Sequence, residues 1–400
     1  MKSNYRYIVK AFMAMAVIAG TTSCDDFLDR EPMSSISPET YYSTAAQLEA
    51  NLNDEYPNVL PSFGQWTYGI FGEDKGTDNQ IEVNANDRYT QDRWKVPHSE
   101  SDNWKFERIY RINFFLSEAL PKFGEDMSGS QNTISGSVAT IKHYIGEMYF
   151  LRAYEYFKKL QLFGDFPIID QPLADEMEAL REASKRFPRN EVARFIISDL
   201  DKAYAYMSDV DMATTRINKD AAMLVKSRVA LFEATWLQNF KGTAFVPGGE
   251  GWPGASLHNN YQYPSGNLDN EVKYFLEQAV EASKLVADKY KGNLTENTGV
   301  LQQSADDPSN PYFDMFAQED LSDVKEVLLW RQYARGLSTH NINAAAGRGN
   351  YRIGLTRGFV QNFLMKDGTP VYAHGSYADG DGYYMAVSYT HLTLPTNREV

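Results

Sequence analysis

The chain of 400 residues has a single cysteine, Cys24. No disulfide can form within it, so its fold has to rest on its core, and the thiol is left for some other use. Long apolar runs are missing too. The run Ala11 to Gly20 (AFMAMAVIAG) is ten residues, about half of the roughly 20 that a helix needs to cross a bilayer, and nothing later is long and apolar enough. Histidine is scarce: His98, His143, His258, His340, His374 and His391 are scattered without the spacing of metal ligands. HExxH, GxSxG and GxxxxGK(S/T) do not occur, which removes the commonest metalloprotease, serine-hydrolase and nucleotide-binding signatures. Basic residues are in deficit, 39 Lys and Arg against 53 Asp and Glu, for a net charge of −14. A field of that sign repels phosphates, so nucleic acid and anionic lipid are excluded as natural partners and an uncharged ligand is the easier fit.

The N-terminus has the parts of an export signal, residues 1–23. Lys2, Arg6 and Lys10 make a basic region, the apolar run follows, and Thr21, Thr22 and Ser23 lead directly to Cys24. Removing the three positive residues of this signal takes the net charge from −14 to −17. A cysteine at that place resembles the lipid-accepting residue of bacterial lipoproteins, although Thr21 departs from the commoner aliphatic residue three positions earlier. Cys24 is therefore expected to be a lipid anchor. Several acyl chains supply the multiple signals that stable anchoring needs, since each buried methylene adds about 0.8 kcal/mol.

Helical periodicity begins in the first half. Ile141, Ile145, Met148, Tyr149, Tyr156, Leu160 and Phe163 fall within an arc of about 120° at 100° per residue, with Arg152 in its middle. A second helix is expected after Asn190 as N-cap, with Val192, Phe195, Ile196, Ala203 and Met207 on one face. A third follows Asn218 and carries Ala221, Val225, Val229, Phe232 and Trp236, with Arg228 inside the stripe. A fourth runs from about Asp269 to Tyr290, stopping before Gly292, and an earlier one from about Asp102 to Leu120, ahead of Pro121. Arg152 and Arg228 are both expected to be structural, because a guanidinium on an apolar face has to be paired. Beyond Lys325 the run EVLLWRQYA reads as a strand, and YRIGLTRGFVQNFLMKDGTPVY as a strand, a short helix and a turn at Asp367 and Gly368.

Successive helix pairs, with Ala153 followed four residues later by Phe157, resemble tetratricopeptide units. Their 34-residue period is broken by the loop from Gly242 to Asn267. The expected fold class is mainly α: tetratricopeptide-like helical-pair repeats with an irregular, loop-rich subdomain carrying short strands.

Longer segments carry a family resemblance. CDDFLDREP after the signal, ISPETYY, GEMYFLRAYEYFKKLQLFGDFPII, RINKDAAMLVKSRVALFEATW and RIGLTRGFVQNFLMKDG are similar to the starch-utilisation lipoproteins of the SusD/RagB family, from the signal to about Tyr384. The resemblance implies an outer-membrane, lipid-anchored protein facing the cell exterior, which binds oligo- or polysaccharide and acts as a lid on a SusC-like TonB-dependent transporter. It implies no enzymatic activity and no cofactor. On this pattern residues 24–100 are an N-terminal segment with an aromatic loop, 101–300 a helical body with a loop insertion at 242–267, and 301–386 part of a C-terminal subdomain. Family members continue well past the KDG turn; residues 387–400 resemble adapter read-through and receive no role. A secreted glycoside hydrolase and a helical-repeat scaffold binding another surface protein are the competing classes.

A sugar ring presents flat C–H faces that pack on Trp and Tyr, and hydroxyls that need polar side chains nearby. Two loops mix these types. The first, Gln65 to Trp94, offers Trp66, Tyr68, Asp78, Asn79, Arg88 and Trp94; the second, Trp252 to Tyr263, offers Trp252, Asn260 and Tyr261, with His258 and Asn259 beside them. Trp104, Trp236 and Trp330 sit on periodic elements and read as core. Glu73, Asp74 and Asp78 contain the two carboxyl groups that glycoside hydrolysis needs, but read more simply as acceptors for sugar hydroxyls or as solvated groups. Gly249, Gly251 and Gly254 spell GxGxxG, yet Trp252 and Pro253 interrupt it and neither a preceding strand nor a following helix frames it. Asp379 and Asp381 lack the twelve-residue loop of a calcium site, so no metal is expected. Because acylation needs the thiol of Cys24, Cys24→Ala should move the protein to the soluble fraction after lysis; sedimentation with the outer membrane at the wild-type level, in cells lacking the transporter, would disprove the anchor.

Overall fold

The computed structural model describes residues 41–64, 73–74, 76–81, 103–124, 126–208, 212–300, 304, 306–334, 336, 338–340, 354–365, 367–370, 373 and 392–393. Cys24, Trp66, Tyr68, Arg88 and Trp94 lie outside them. The chain divides into two compact units, one within Met1–Val59, Glu107–Met212 and Ile217–Lys289, the other within Leu60–Phe106, Ala213–Arg216 and Tyr290–Val400.

The first unit is helical: α1 (Ala45–Val59), α2 (Glu107–Phe123), α3 (Val138–Phe163), α4 (Met177–Ala183), α5 (Arg189–Tyr206), α6 (Lys219–Asn239) and α7 (Leu268–Tyr290). None of its described helices is long and apolar enough to cross a membrane. α3 is buried almost all round, the sign of a central helix, and α1, α2, α5 and α6 pack against it. It starts where the Ser137 hydroxyl accepts from the Thr140 N–H, and stops at Gly164, whose φ of 68° allows its N–H to close on the Leu160 carbonyl. Gly146 lies where α3 crosses the end of α5: a Cβ there would stand 2.8 Å from the Met207 nitrogen and 2.9 Å from the Ala203 carbonyl oxygen, so only glycine permits the approach. One hydroxyl links α1 to two distant parts of the unit. Tyr56 donates to Glu147 at 2.7 Å and accepts the Ile217 N–H at 2.9 Å.

Arg152 is buried and paired as a guanidinium on an apolar stripe must be. Its fork grips Asp199 of α5 at 2.6 and 2.8 Å, and its remaining nitrogen reaches Asn113 at 2.9 Å and the Asp170 carbonyl at 2.8 Å. The rings of Tyr149 and Phe195 flank it at 5.3 and 5.2 Å. Arg228 departs from expectation, for it is exposed. The second deeply buried arginine is Arg189, held by Glu233 of α6 at 3.0 and 2.9 Å and lying 4.1 Å over the Trp236 ring. Facing Glu233 inward widens the buried side of α6: Ala221 and Val229 of the expected stripe are buried, and so are Ala222, Lys226, Ala230, Glu233 and Leu237, while Val225, Phe232 and Trp236 are only half-buried.

Helix ends show what caps can and cannot reveal. Asn218 does cap α6, accepting the Ala221 N–H at 3.0 Å. Asn190 does not cap α5, which begins one residue earlier behind Pro188; its buried amide donates instead to Glu271 of α7 at 3.0 Å and to the Tyr261 hydroxyl at 2.9 Å. Pro121 sits inside α2, and the helix ends only at Gly124, with φ of 104°.

The loop between α6 and α7 is closed down on the helices rather than open. Trp252 is 4% exposed, and its indole N–H donates to Asp165 at 2.7 Å. Tyr263 donates to the Pro247 carbonyl at 2.5 Å, and His258 lies 2.8 Å from the Arg186 carbonyl oxygen. Gly249 is needed for a tight turn, since a Cβ would meet the Thr243 carbonyl oxygen at 1.9 Å; the GxGxxG spelling is the by-product of such turns.

The second unit has short pieces: β1 (Gln80–Ile81), α8 (Pro311–Met315), β2 (Gly354–Leu355), α9 (Arg357–Gln361), β3 (Leu364–Met365) and β4 (Leu392–Thr393). β1 pairs antiparallel with β2, Gln80 opposite Leu355, and β3 with β4, Leu364 opposite Thr393. The strand, short helix and turn at Asp367 and Gly368 appear where the sequence places them, with Gly368 at φ 84°. EVLLWRQYA does not form a strand among the described residues. Trp330 is half-buried there and donates its indole N–H to Thr214 at 2.8 Å, so side-chain anchoring replaces ladder pairing.

Arg152→Ala should lower the unfolding free energy by about 3–5 kcal/mol in a denaturant titration, because Asp199 is left buried and uncompensated, whereas Arg228→Ala should stay within about 0.5 kcal/mol. Trp252→Ala should also destabilise, by about 3–5 kcal/mol; a variant as stable as wild type would show that the loop is not part of the core.

Candidate functional site

The sequence-predicted residues that the structure describes fall into two sets, one in each unit. In the second unit the chain from Asp74 to Ile81 makes a tight turn. The Asp74 carbonyl accepts from the Thr77 hydroxyl at 2.7 Å and the Thr77 N–H at 3.1 Å, and Gly76, at φ 75°, donates to the Gln80 carbonyl at 3.1 Å. β1 follows and pairs with β2, after which Thr356 locks the turn from the other side: its N–H donates to the Asn79 carbonyl at 2.9 Å and its hydroxyl to the Asp78 carbonyl. The same Thr356 oxygen caps α9 by accepting from the Phe359 N–H at 3.1 Å.

Backbone groups of Asp78 and Asn79 are thus fixed, while their side chains make no hydrogen bond or ion pair among the described residues. Asp78 is exposed and Asn79 half-buried. Gln80 beside them is 7% exposed, and its amide oxygen has no partner among the described residues. A buried acceptor left unsatisfied costs about 1–3 kcal/mol, so this turn presents polar capacity that the fold itself does not use.

In the first unit the second predicted loop behaves differently. Asn260 is exposed and sits at φ 55°, a left-handed position where asparagine is among the few side chains tolerated; it is a turn residue first. Tyr261 is half-buried, and its hydroxyl and the Asn190 amide exchange hydrogen bonds at 2.9 and 3.1 Å. Burial pushes this phenol well above its ordinary pKa. Trp252, expected as an open stacking face, is enclosed by His258 at 6.0 Å and Tyr261 at 5.6 Å between ring centres. Its partner Asp165 also receives the Arg189 N–H at 2.9 Å; burial raises the Asp165 pKa although both donors pull the other way. Glu271 shows the opposite balance. Burial raises it, yet the Arg194 fork at 2.7 and 2.8 Å, Asn190 and the Ser265 N–H outweigh that and hold it below the ordinary carboxylate value. This loop therefore offers Asn260 and part of Tyr261 to solvent, not an indole platform.

A third place was not foreseen from sequence. In the second unit the buried amide of Asn310 accepts from the Thr298 N–H at 3.3 Å and donates to the Val300 carbonyl at 2.9 Å and the Asn297 side chain at 3.2 Å, which folds 293–300 against α8. Between them lies a groove of about 400 Å³ lined by Asn293, Thr295, Asp314, Met315, Gln318 and Lys325, among others. The available signal was PYFDMF, three aromatics in six residues with no helical stripe to bury them.

Comparison with known proteins places the chain in a family. The SusD-like family, described as starch-binding and associating with the outer membrane, matches residues 26–231. SusD-like protein P2 of Formosa agariphila is 25% identical over 253 residues, 60% of this chain and 46% of that protein. SusD-like protein P25 of the same organism is 25% identical over 233 residues, 54% of this chain and 41% of that one. The matched region thus spans less than half the length of these relatives. Among solved structures, a SusD-like protein from Bacteroides fragilis superposes with a TM-score of 0.55 at 19% identity, covering 90% of this chain and 61% of its own. A SusD-like carbohydrate binding protein from the same species gives 0.50 at 15% identity, covering 84% and 57%. These two share the fold, and with the family match taking in more than half of its residues, the chain belongs to the SusD-like family.

Proposed function

We propose that this chain is a cell-surface lipoprotein that captures oligo- or polysaccharide and delivers it, without catalysis, to a SusC-like TonB-dependent transporter in the outer membrane. The observation that carries this reading is the match of residues 26–231 to a starch-binding family associated with the outer membrane. Cys24 holds the protein to the membrane in this scheme, with the body facing the cell exterior. The turn at Asp78 and Asn79 supports it, because polar side chains that the fold leaves uncommitted are what sugar hydroxyls require. Trp66, Tyr68, Arg88 and Trp94 complete that site in the proposal, and Asn260 and Tyr261 form a secondary contact. The net charge of −14 favours a neutral glycan over an anionic one.

The test is retention of the protein by a panel of neutral polysaccharides in affinity gels, with reducing ends assayed in parallel. Retention without release of reducing ends is expected; release would mean a glycoside hydrolase. Trp66→Ala and Trp94→Ala should each weaken binding by at least about fivefold, the level that separates an anchor from near-neutral neighbours, with little change on adding salt. Co-purification with a large β-barrel in the absence of sugar is expected for the transporter role, and a protein that never co-purifies with one would argue against it.

A further inference from the structure

One turn of the helical unit carries a carboxylate that no guanidinium fork grips. Asp165 follows the cap of α3 at Gly164, and its backbone is pinned because Phe166 and Phe187 exchange N–H to carbonyl hydrogen bonds at 3.2 and 3.0 Å. Its two oxygens therefore have fixed places. One accepts the Arg189 backbone N–H at 2.9 Å, and the other the Trp252 indole N–H at 2.7 Å. Both donors are neutral, while the Arg189 guanidinium is committed to Glu233 at 3.0 and 2.9 Å.

The charges around this turn do not balance. Glu233 of α6 takes the fork of Arg189, and Glu271 of α7 takes the fork of Arg194 at 2.7 and 2.8 Å. Two guanidiniums thus answer two carboxylates, and Asp165 is the third. Asp165 and Glu271 both act electrostatically on Glu233, and all three act on the Tyr263 phenol, so they share one field. Exposed Arg186 also acts on Asp165, from a position where water and salt screen it. On the loop side, His258 stacks 6.0 Å from Trp252 with its Nε2 2.8 Å from the Arg186 carbonyl oxygen, and Glu191 of α5 acts on Tyr261. A surplus charge withdrawn from water is costly, and a carboxyl so placed takes a proton instead. Burial raises both Asp165 and Glu233 above their ordinary values, in line with this count.

Trp252, 4% exposed, reaches Asp165 from the loop 242–263, so this hydrogen bond also fastens the loop to the end of α3. A neutral carboxyl retains acceptor capacity, which lets the fastening survive the proton. We propose that Asp165 is a proton latch: with a proton on its carboxyl the loop 242–263 is held closed, and as that proton leaves the loop loosens. A carboxyl that binds its proton more tightly in the closed loop than in water stabilises closure below its ordinary value of about 4. That contribution is lost as pH rises through the higher value of the closed state. The latch goes beyond glycan capture and does not depend on it; it makes the presentation of Asn260 and Tyr261 pH-dependent.

The experiment uses the full chain in detergent, labelled with 5-fluorotryptophan, the Trp252 fluorine line being the one lost in Trp252→Phe. Between about pH 4.5 and 8, a window above the ordinary carboxylate value, that line should move in wild type and in His258→Gln and stay still in Asp165→Asn. Over the same window wild type should lose melting temperature relative to Asp165→Asn as the pH rises. Asp165→Ser, which also lacks the titrating group, serves the same comparison if Asp165→Asn does not fold. A line in wild type that ignores pH overturns the latch. So does a movement that survives loss of the Asp165 carboxyl, or one that vanishes in His258→Gln. A melting difference that is independent of pH, or that favours wild type as the pH rises, would mean that Asp165 stays ionised in the closed loop, which also overturns it.

Discussion

A guanidinium can leave water only when a carboxylate and further acceptors meet it in good geometry, and the helical unit is arranged around three such meetings on one helix. α5 offers Asp199 to Arg152 of α3, receives Glu233 of α6 on Arg189, and receives Glu271 of α7 on Arg194. Hydrophobic contact is non-directional and on its own specifies the register of packed helices less sharply. Here a slide leaves a charge buried and unmet, a penalty of about 3–5 kcal/mol for each fork. The forks thus set the register of α3, α6 and α7 against α5, and apolar side chains such as Ile196, Leu200 and Val229 fill the space that this register defines.

The same dependence explains where the sequence could be read and where it could not. α3, α5, α6 and α7 were legible because their apolar positions repeat at helical spacing, and Arg152 was legible because a lone charge in such a stripe implies a partner. Its identity was not, since Asp199 lies 47 residues away. On α6 the stripe containing Phe232 and Trp236 was the more apolar choice, yet Glu233 faces inward to satisfy Arg189, 44 residues earlier, so Ala221 and Val229 stay buried while Phe232 and Trp236 are half-buried and Arg228 is left outside. Periodicity weighs hydrophobicity along one helix and carries no information about a distant counter-charge. EVLLWRQYA failed for a related reason: strand propensity needs a partner strand, and Trp330 found Thr214 instead.

Candidate binding residues divide along similar lines. The aromatic and polar composition of the 252–263 loop was correctly read as loop, but composition does not say which way a ring faces. Trp252 has an indole N–H that must be satisfied, and Asp165 next to the start of α5 satisfies it inside. Around Asp78 and Asn79 the backbone was locked by Thr356, a residue 278 positions later than Asp78, and that locking leaves the side chains available. In both loops the fold uses the hydrogen bonds it needs, and the side-chain polar groups of Asp78, Asn79 and Asn260 are left without a partner among the described residues.

Tyr56 joins α1 to positions 91 and 161 residues further along the chain, through Glu147 and the Ile217 N–H. During synthesis α1 therefore emerges well before either of its hydroxyl partners, and it can settle only once residues 147 and 217 have followed. Until then its apolar face of Leu48, Leu52 and Val59 has nothing to cover it. Non-local closure of this length slows folding and prolongs exposure of sticky surface, so the face of α1 is where the folding chain most needs shielding.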